Sequence, residues 1–331
     1  DRRDEKRKRT DICRGIRIDL RGEKDIVMFH YDMVQWLFFF YVYCFLGWCF
    51  ESAYVSVKSG KLVNRGFMRG PFLPLYGGGA IMMFVVSMPF QEKIVLTYLA
   101  GCVGATTLEY ITGITMDALF NIRYWDYSDQ KFNFQGHICL SSTIVWGFLT
   151  ILMTRVIHRP IEMLVLAMPR NILGYVTFGL TIYIAADFAL SFKAAMDLRN
   201  ILCKIQKVKE ELERMQKRLD VIIAFNNDDK EQRRQEKELK PEDLVEGLGQ
   251  RFVSIKEKIQ SAPGAYVGNV RDEIAELRAR YNLYMENRKH YREILGFYKR
   301  DMIRNNPDMN SHKFKEAFEE LKNAVTEKMS K

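Results

Sequence analysis

The chain has 331 residues, 50 Lys and Arg against 41 Asp and Glu, a net charge of +9 and a mean hydropathy of −0.19. That average hides two unlike regions, because apolar residues crowd between Met33 and Phe192 while charge dominates both ends. The ends mix signs, so neither is the single-sign block that wraps nucleic acid, and a nucleic-acid partner is disfavoured. Six cysteines with no CxxC pair exclude a dithiol or zinc framework.

Residues 1–27 form a charged arm that lacks the apolar core of a signal peptide. Met28 is an alternative start that would make this arm extraneous. Its Lys6–Arg9 run, beside a membrane, suits contact with anionic lipid headgroups. Five apolar segments follow: Met33–Tyr54, Leu73–Phe90, Ile94–Phe120, Leu140–Val156 and Asn171–Phe192. Each is near the roughly 20 residues needed to cross a hydrocarbon core. Between the last two, Arg159–Arg170 is bracketed by Pro160 and Pro169 and reads as a short interfacial helix.

Beyond the fifth segment, Leu198, Ile201, Ile205, Val208, Leu212, Met215, Leu219 and Ile222 recur at spacings of three and four. This is the a/d seam of a coiled coil, continuous with the last span. The charged run from Asn226 to Lys240 breaks it. Helical patterns then follow from Pro241 through Ile259, from Val270 through Met302 with Arg288 interrupting the seam, and from Ser311 to Val325, with turns at Ser261–Gly264 and Asn305–Pro307. Ser311 is placed to cap the final helix. The expected fold is therefore all-α: an arm (1–27), a polytopic membrane bundle of about five spans (28–193) and a helical coiled-coil domain (194–331). A stripe of that kind is rarely left in water and must be covered by later helices of the same chain or by a second copy; four such seams exceed what one hairpin can cover, so a homo-dimer through Leu198–Ile222 is expected. Lys58, Lys61, Arg65, Arg69, Arg123 and Lys131 fall in the loops after the first and third spans, which favours those loops and the C-terminal domain on the cytoplasmic side.

The stretch Gly60–Ala80, GKLVNRGFMRGPFLPLYGGGA, mixes basic residues, prolines, glycines and large apolar side chains. It suits an ordered loop packed on protein near the membrane surface. Together with FLGWCFESAYVS (Phe45–Ser56), LEYITG (Leu108–Gly113), YWDYSDQKFNFQGHICL (Tyr124–Leu140) and Trp146–Gly147, it resembles the CmpB-like, type IV family of ABC-transporter permeases over about Phe38–Phe192. The resemblance implies a membrane subunit of a transport system. No GxxxxGK[ST] phosphate loop occurs in the chain, so any ATPase would be a separate subunit. No cofactor is expected.

Glu109 is the sharpest single residue, since a lone charge at the centre of a membrane helix costs roughly 2.5–3.5 kcal/mol. It reads either as a carboxylate lining a polar path for a cation or proton, or as a protonated acid bonded across a helix interface. Glu51 and Asp187 lie nearer span ends and can reach interfacial water. Arg65 and Arg69 are a candidate oxyanion clamp or structural ion pair, with Glu51, Asp126 and Asp129 as partners. Asn64, Tyr76, Trp125, Asp126, Asn133 and His137 complete the loop motifs. Asp126, His137 and Ser141 or Ser142 are close in sequence, which does not make a catalytic triad. Three functions remain open: transport subunit, membrane enzyme acting on lipid or polyprenyl-phosphate headgroups, and membrane-anchored coiled-coil scaffold.

Overall fold

The computed structural model describes residues 16–18, 24–26, 31–90, 92–226, 244–261, 268–293 and 296–327. Within the arm, β1 (Ile16–Ile18) pairs antiparallel with β2 (Lys24–Ile26). The register sets Ile16 opposite Ile26, Arg17 opposite Asp25 and Ile18 opposite Lys24. The arm thus holds local structure that mixed charge alone did not suggest.

Helix α1 (Met33–Ser59) starts at a capping box. Asp32 Oδ1 accepts from Gln35 N and Gln35 Oε1 accepts from Asp32 N, both at 2.9 Å. It ends where Gly60 takes a left-handed φ of 65°. Helix α2 (Pro74–Ser87) begins on Pro74, whose missing N–H is no loss there, and ends in a tight turn, Met88–Phe90. Helix α3 (Ile94–Phe120) is closed by Asn121 at φ 52°. After a small hairpin, β3 (Asn133–Phe134) with β4 (Ile138–Cys139), come α4 (Leu140–Leu152), a wide π-turn (Met153–Ile157) and α5 (His158–Ala167). Helix α6 runs over Arg170–Asn226.

Four helical stretches are long and apolar enough to cross a membrane: Met33–Ser59, Ile94–Phe120, Leu140–Ala167 and the helix beginning at Arg170, while Pro74–Phe90 is shorter. Two expectations change. The second span is the short member of the set, so the count of full-length spans is four rather than five. The separate interfacial helix at Arg159–Arg170 is instead the end of one helical stretch, Leu140–Ala167. Pro160 has no N–H for the preceding turn and its ring crowds that turn's carbonyl, and the wide turn at Met153–Ile157 loosens the backbone immediately before it. Pro169 then ends the stretch.

The chain divides into two units. The first comprises residues 1–193 and, from far along the sequence, Asn305–Asn310. Its core gathers Phe38, Phe39 and Tyr43 of α1, Ala80 and Met83 of α2, Ala105 of α3, Val165 of α5 and Leu173 of α6. A second cluster joins Tyr41 and Cys44 to Met68, Phe72 and Ile184, which ties the Gly60–Leu73 loop to two helices. Large apolar side chains such as Val103, Phe148 and Phe178 point outward, as lipid-facing positions do.

The second unit, residues 194–304 and 311–331, is helical in its described parts: the remainder of α6, α7 (Leu244–Ser261), α8 (Gly268–Glu293), α9 (Phe297–Asn305) and α10 (Lys315–Glu327). Ser311 Oγ accepts from Phe314 N at 3.1 Å and so caps the approach to α10. The α6 stripe is buried inside this unit: Val208, Leu212, Met215 and Leu219 pack on Leu248, Phe252 and Ile255 of α7 and on Ile274 and Leu277 of α8. Part of the stripe is thus covered by its own chain, the intramolecular one of the two expected ways of burying it. The expected breaks between 227 and 243 and at Ala262–Gly264, the basic run Lys6–Arg9, Met28 and Leu295 lie outside the described residues. So do the side chains of Leu244, Ile259, Arg288 and Tyr291.

Ile205 and Leu212 are 4% and 2% exposed. Replacing both with Glu buries unpaired charge in a core whose whole stability is of order 5–15 kcal/mol. The double variant is expected to lose helical circular dichroism and gain protease cleavage sites after Lys193 while the membrane segments stay intact. A simple change from dimer to monomer with full helicity would contradict this packing.

Candidate functional site

Helix α1 and helix α2 come unusually close. A Cβ on Gly47 would run into Tyr76, and one on Gly77 would run into Cys44 and the Phe40 carbonyl. The missing side chains set Tyr76 against α1, where its hydroxyl donates to Glu51 Oε2 at 2.6 Å. On the other side of Glu51 stands Arg65, with Nε 3.6 Å from Glu51 Oε1. Arg65 is only 7% exposed. Its backbone N–H donates to Ser52 Oγ at 3.1 Å and its Nη2 to the Tyr124 carbonyl at 2.9 Å. The expected guanidinium–carboxylate pairing therefore involves Glu51. Asp126 turns to Arg123, 3.7 Å away, and accepts from Ser128 Oγ at 2.5 Å.

Glu109, on α3, is 4% exposed. Its Oε1 accepts from Tyr127 Oη at 3.1 Å, and its Oε2 accepts from Ser142 Oγ at 3.2 Å and Trp146 Nε1 at 2.9 Å. An indole N–H only donates, so Oε2 is fixed as an acceptor. The Oε1–Tyr127 contact has no such restriction and can carry a proton on either partner. Tyr127 lies in the loop between α3 and α4. Burial first, and then the Glu109 charge and hydrogen bond, push its phenol well above the usual value, which keeps it protonated. Tyr124 is likewise raised by burial, with the Arg65 charge offsetting part of the effect. The Tyr76 and Trp146 rings lie 6.2 Å apart, so the Glu51 and Glu109 groups share one aromatic wall.

The remaining predicted residues lock the loops. Trp48 Nε1 donates to Asn64 Oδ1 and Asn64 Nδ2 donates to the Arg69 carbonyl, both at 2.6 Å. Gly70 N donates to Asp187 Oδ2 at 2.8 Å, fastening the loop to α6. Asn133 Nδ2 donates to the Ser128 and Gln130 carbonyls and its Oδ1 accepts from Gly136 N, which shapes the β3–β4 hairpin. Trp125 Nε1 donates to the His137 carbonyl at 3.0 Å, and His137 Nε2 faces Asp117 at 3.7 Å. Ser142 serves Glu109 and His137 faces Asp117, contacts that lend no support to Asp126, His137 and Ser141 or Ser142 as a nucleophile–base–orienter set.

Sequence reasoning missed Tyr127 and Trp146 as ligands of Glu109, although both stand in quoted motifs, WDYS and WG. It also missed the approach of Asn306 and Asp308 to the Arg65 loop, for which no local motif exists. Asn306 Nδ2 donates to the Gly66 carbonyl at 3.0 Å, and Asp308 Oδ2 lies 3.6 Å from Arg65 Nη2.

Gly47→Ala drives a methyl into Tyr76, an overpacking expected to cost roughly 1–3 kcal/mol and to detach Tyr76 from Glu51. Gly79→Ala, where an added Cβ meets nothing within 4 Å, is the control. Thermal unfolding of the two variants in detergent should show a lower midpoint for Gly47→Ala and no loss for Gly79→Ala.

No curated protein and no solved structure matches the chain. Residues 38–192, which hold Glu51, Arg65, Tyr76, Glu109, Tyr127, Ser142 and Trp146, match the model of the family described as "Putative ABC-transporter type IV".

Proposed function

We propose that this chain is the membrane subunit of a transport system whose ATPase is a separate chain, with Glu109 the residue that takes up and releases a proton or binds a cation. The family match over 38–192 supports a transport-related membrane protein. The observation that carries the finer reading is the environment of Glu109: a carboxylate deep in a spanning helix, held by three donors. Trp146 and Ser142 hold one oxygen while Tyr127 offers the other a partner that can accept as well as donate. A carboxylate used only as a structural bond across two helices has no need for that second, reversible partner. Tyr127 comes from the loop, so it links the buried acid to the membrane surface. In this reading the C-terminal unit is cytoplasmic, on the side of the loops that follow α1 and α3. The headgroup-enzyme reading has no support from the family match.

Glu109→Gln preserves size and hydrogen bonding but removes the titratable charge. The variant is expected to keep its thermal midpoint and lose at least a hundredfold in transport, a loss typical of removing a positioned acid–base group. The measurement is pH-jump-driven proton uptake, with a pH-sensitive dye, in liposomes carrying the chain and the ATPase that co-purifies with it. Full uptake by the Gln variant would return Glu109 to a structural role. Tyr127→Phe should reduce uptake while leaving Glu109 buried.

A further inference from the structure

The hexapeptide Asn305–Asn310 (NNPDMN) lies far beyond the family match, yet it is part of the membrane unit. Arg123 N donates to the Asn310 carbonyl at 2.8 Å and Asn310 N donates to the Arg123 carbonyl at 2.9 Å, an isolated antiparallel bridge. Asn306 reaches the Gly66 carbonyl, and Met309 and Asn306 are each 1% exposed. The hydrogen bonds of this segment described above go to loop backbone. Lifting it away would break those bonds and expose Met309.

What lies beneath it is an under-satisfied cation. A guanidinium offers five N–H donors in a planar fork that matches an oxyanion bidentately. Arg65 makes one short side-chain hydrogen bond, to Tyr124 O. Its two carboxylate neighbours, Glu51 and Asp308, each stand at 3.6 Å, longer than the 2.7–2.9 Å of a direct charge-assisted bond. Its Nη1 is buried and meets no hydrogen-bond acceptor among the described residues. Glu51 is held in place by Tyr76. Asp308 is not: its side chain is 51% exposed and sits on the water side of Arg65. An oxyanion that replaced Asp308 would keep negative charge beside Arg65 and could use the fork directly.

We propose that Arg65 is an oxyanion-binding site, for a phosphate monoester, and that Asp308 of the Asn305–Asn310 segment is its built-in competitor. Ligand binding then expels the segment, and expulsion of the segment opens the site. The proposal does not depend on the role given to Glu109. The phosphate can come from a free solute or from a lipid headgroup, and the two are separable.

The test is hydrogen–deuterium exchange at the Arg123 and Asn310 amides, which hydrogen-bond each other's carbonyls, in the full chain in phosphatidylcholine nanodiscs. Inorganic phosphate, against chloride at equal ionic strength, is expected to speed exchange at both amides. Asp308→Asn should speed it roughly tenfold without phosphate and lower the phosphate concentration needed by a similar factor. Acceleration in nanodiscs containing phosphatidic acid, but not with free phosphate, would assign the ligand to the headgroup and still support the site. Arg65→Lys keeps the charge but loses the fork and should abolish the phosphate response. If phosphate and phosphatidic acid both leave exchange unchanged or slow it, in wild type and Asp308→Asn alike, the proposal fails. It fails too if Arg65→Lys, at an unchanged thermal midpoint, responds like wild type. Should Arg65→Lys not fold, the Asp308→Asn comparison alone decides.

Discussion

A guanidinium cannot be deprotonated in a protein, so burying one obliges the surrounding chain to bring negative or carbonyl oxygens to it. Arg65 imposes that obligation on this membrane unit. Its charge is met by Glu51 from α1, by the Tyr124 carbonyl from the loop after α3, and by Asp308 from the distant hexapeptide. Three pieces of chain that share no sequence neighbourhood are thereby fixed at one point. The Gly60–Leu73 loop is held from its other end by Asp187, which accepts from Gly70 N. The loop's order is thus a consequence of charge neutralisation as much as of its prolines and glycines.

That fixed point also sets the second acid. Glu51 holds Tyr76 by a short hydrogen bond, and Tyr76 can reach it only because Gly47 leaves α1 bare there. The Tyr76 ring in turn abuts Trp146, whose indole N–H holds Glu109. Position is passed from a buried cation to a second buried carboxylate through rigid aromatic groups, each tethered at its polar end. The two carboxylates differ in their freedom. Glu51 is shared between a cation and a phenol, whereas the donors of Glu109 are neutral, so its charge is not cancelled by a neighbouring residue described here. The acid without a counter-charge is the one suited to exchange a proton or bind a cation.

The membrane helices were legible because hydrophobic length and proline position are local properties, and the starts at Met33, Ile94 and Leu140 follow from them. The join of Leu140 to Ala167 was not. Pro160 normally signals an end, and only the compensating wide turn at Met153–Ile157 lets the helix continue through it. Glu109, Arg65 and Glu51 stood out as charges where charge is costly. Their partners Tyr127 and Trp146 did not, since an aromatic residue at a membrane boundary has an ordinary interfacial explanation. The α6 stripe was visible as a seam, but periodicity says only that a face must be covered. Periodicity by itself does not choose between α7 and α8 and a second copy as the cover.

Asn305–Asn310 is the extreme case. Read locally, two asparagines and a proline simply stop a helix, and the polar side chains look like turn residues. Their burial shows otherwise: Asn306 at 1% and Met309 at 1% exposed are values of a packed core, not of a surface turn. Burying an amide without partners would be costly, and the Gly66 carbonyl, beside Arg65, supplies one. The hexapeptide therefore reads as a turn by composition and as a ligand by contact, and the carbonyl that Asn306 meets lies 240 residues away, where no local pattern could have disclosed it.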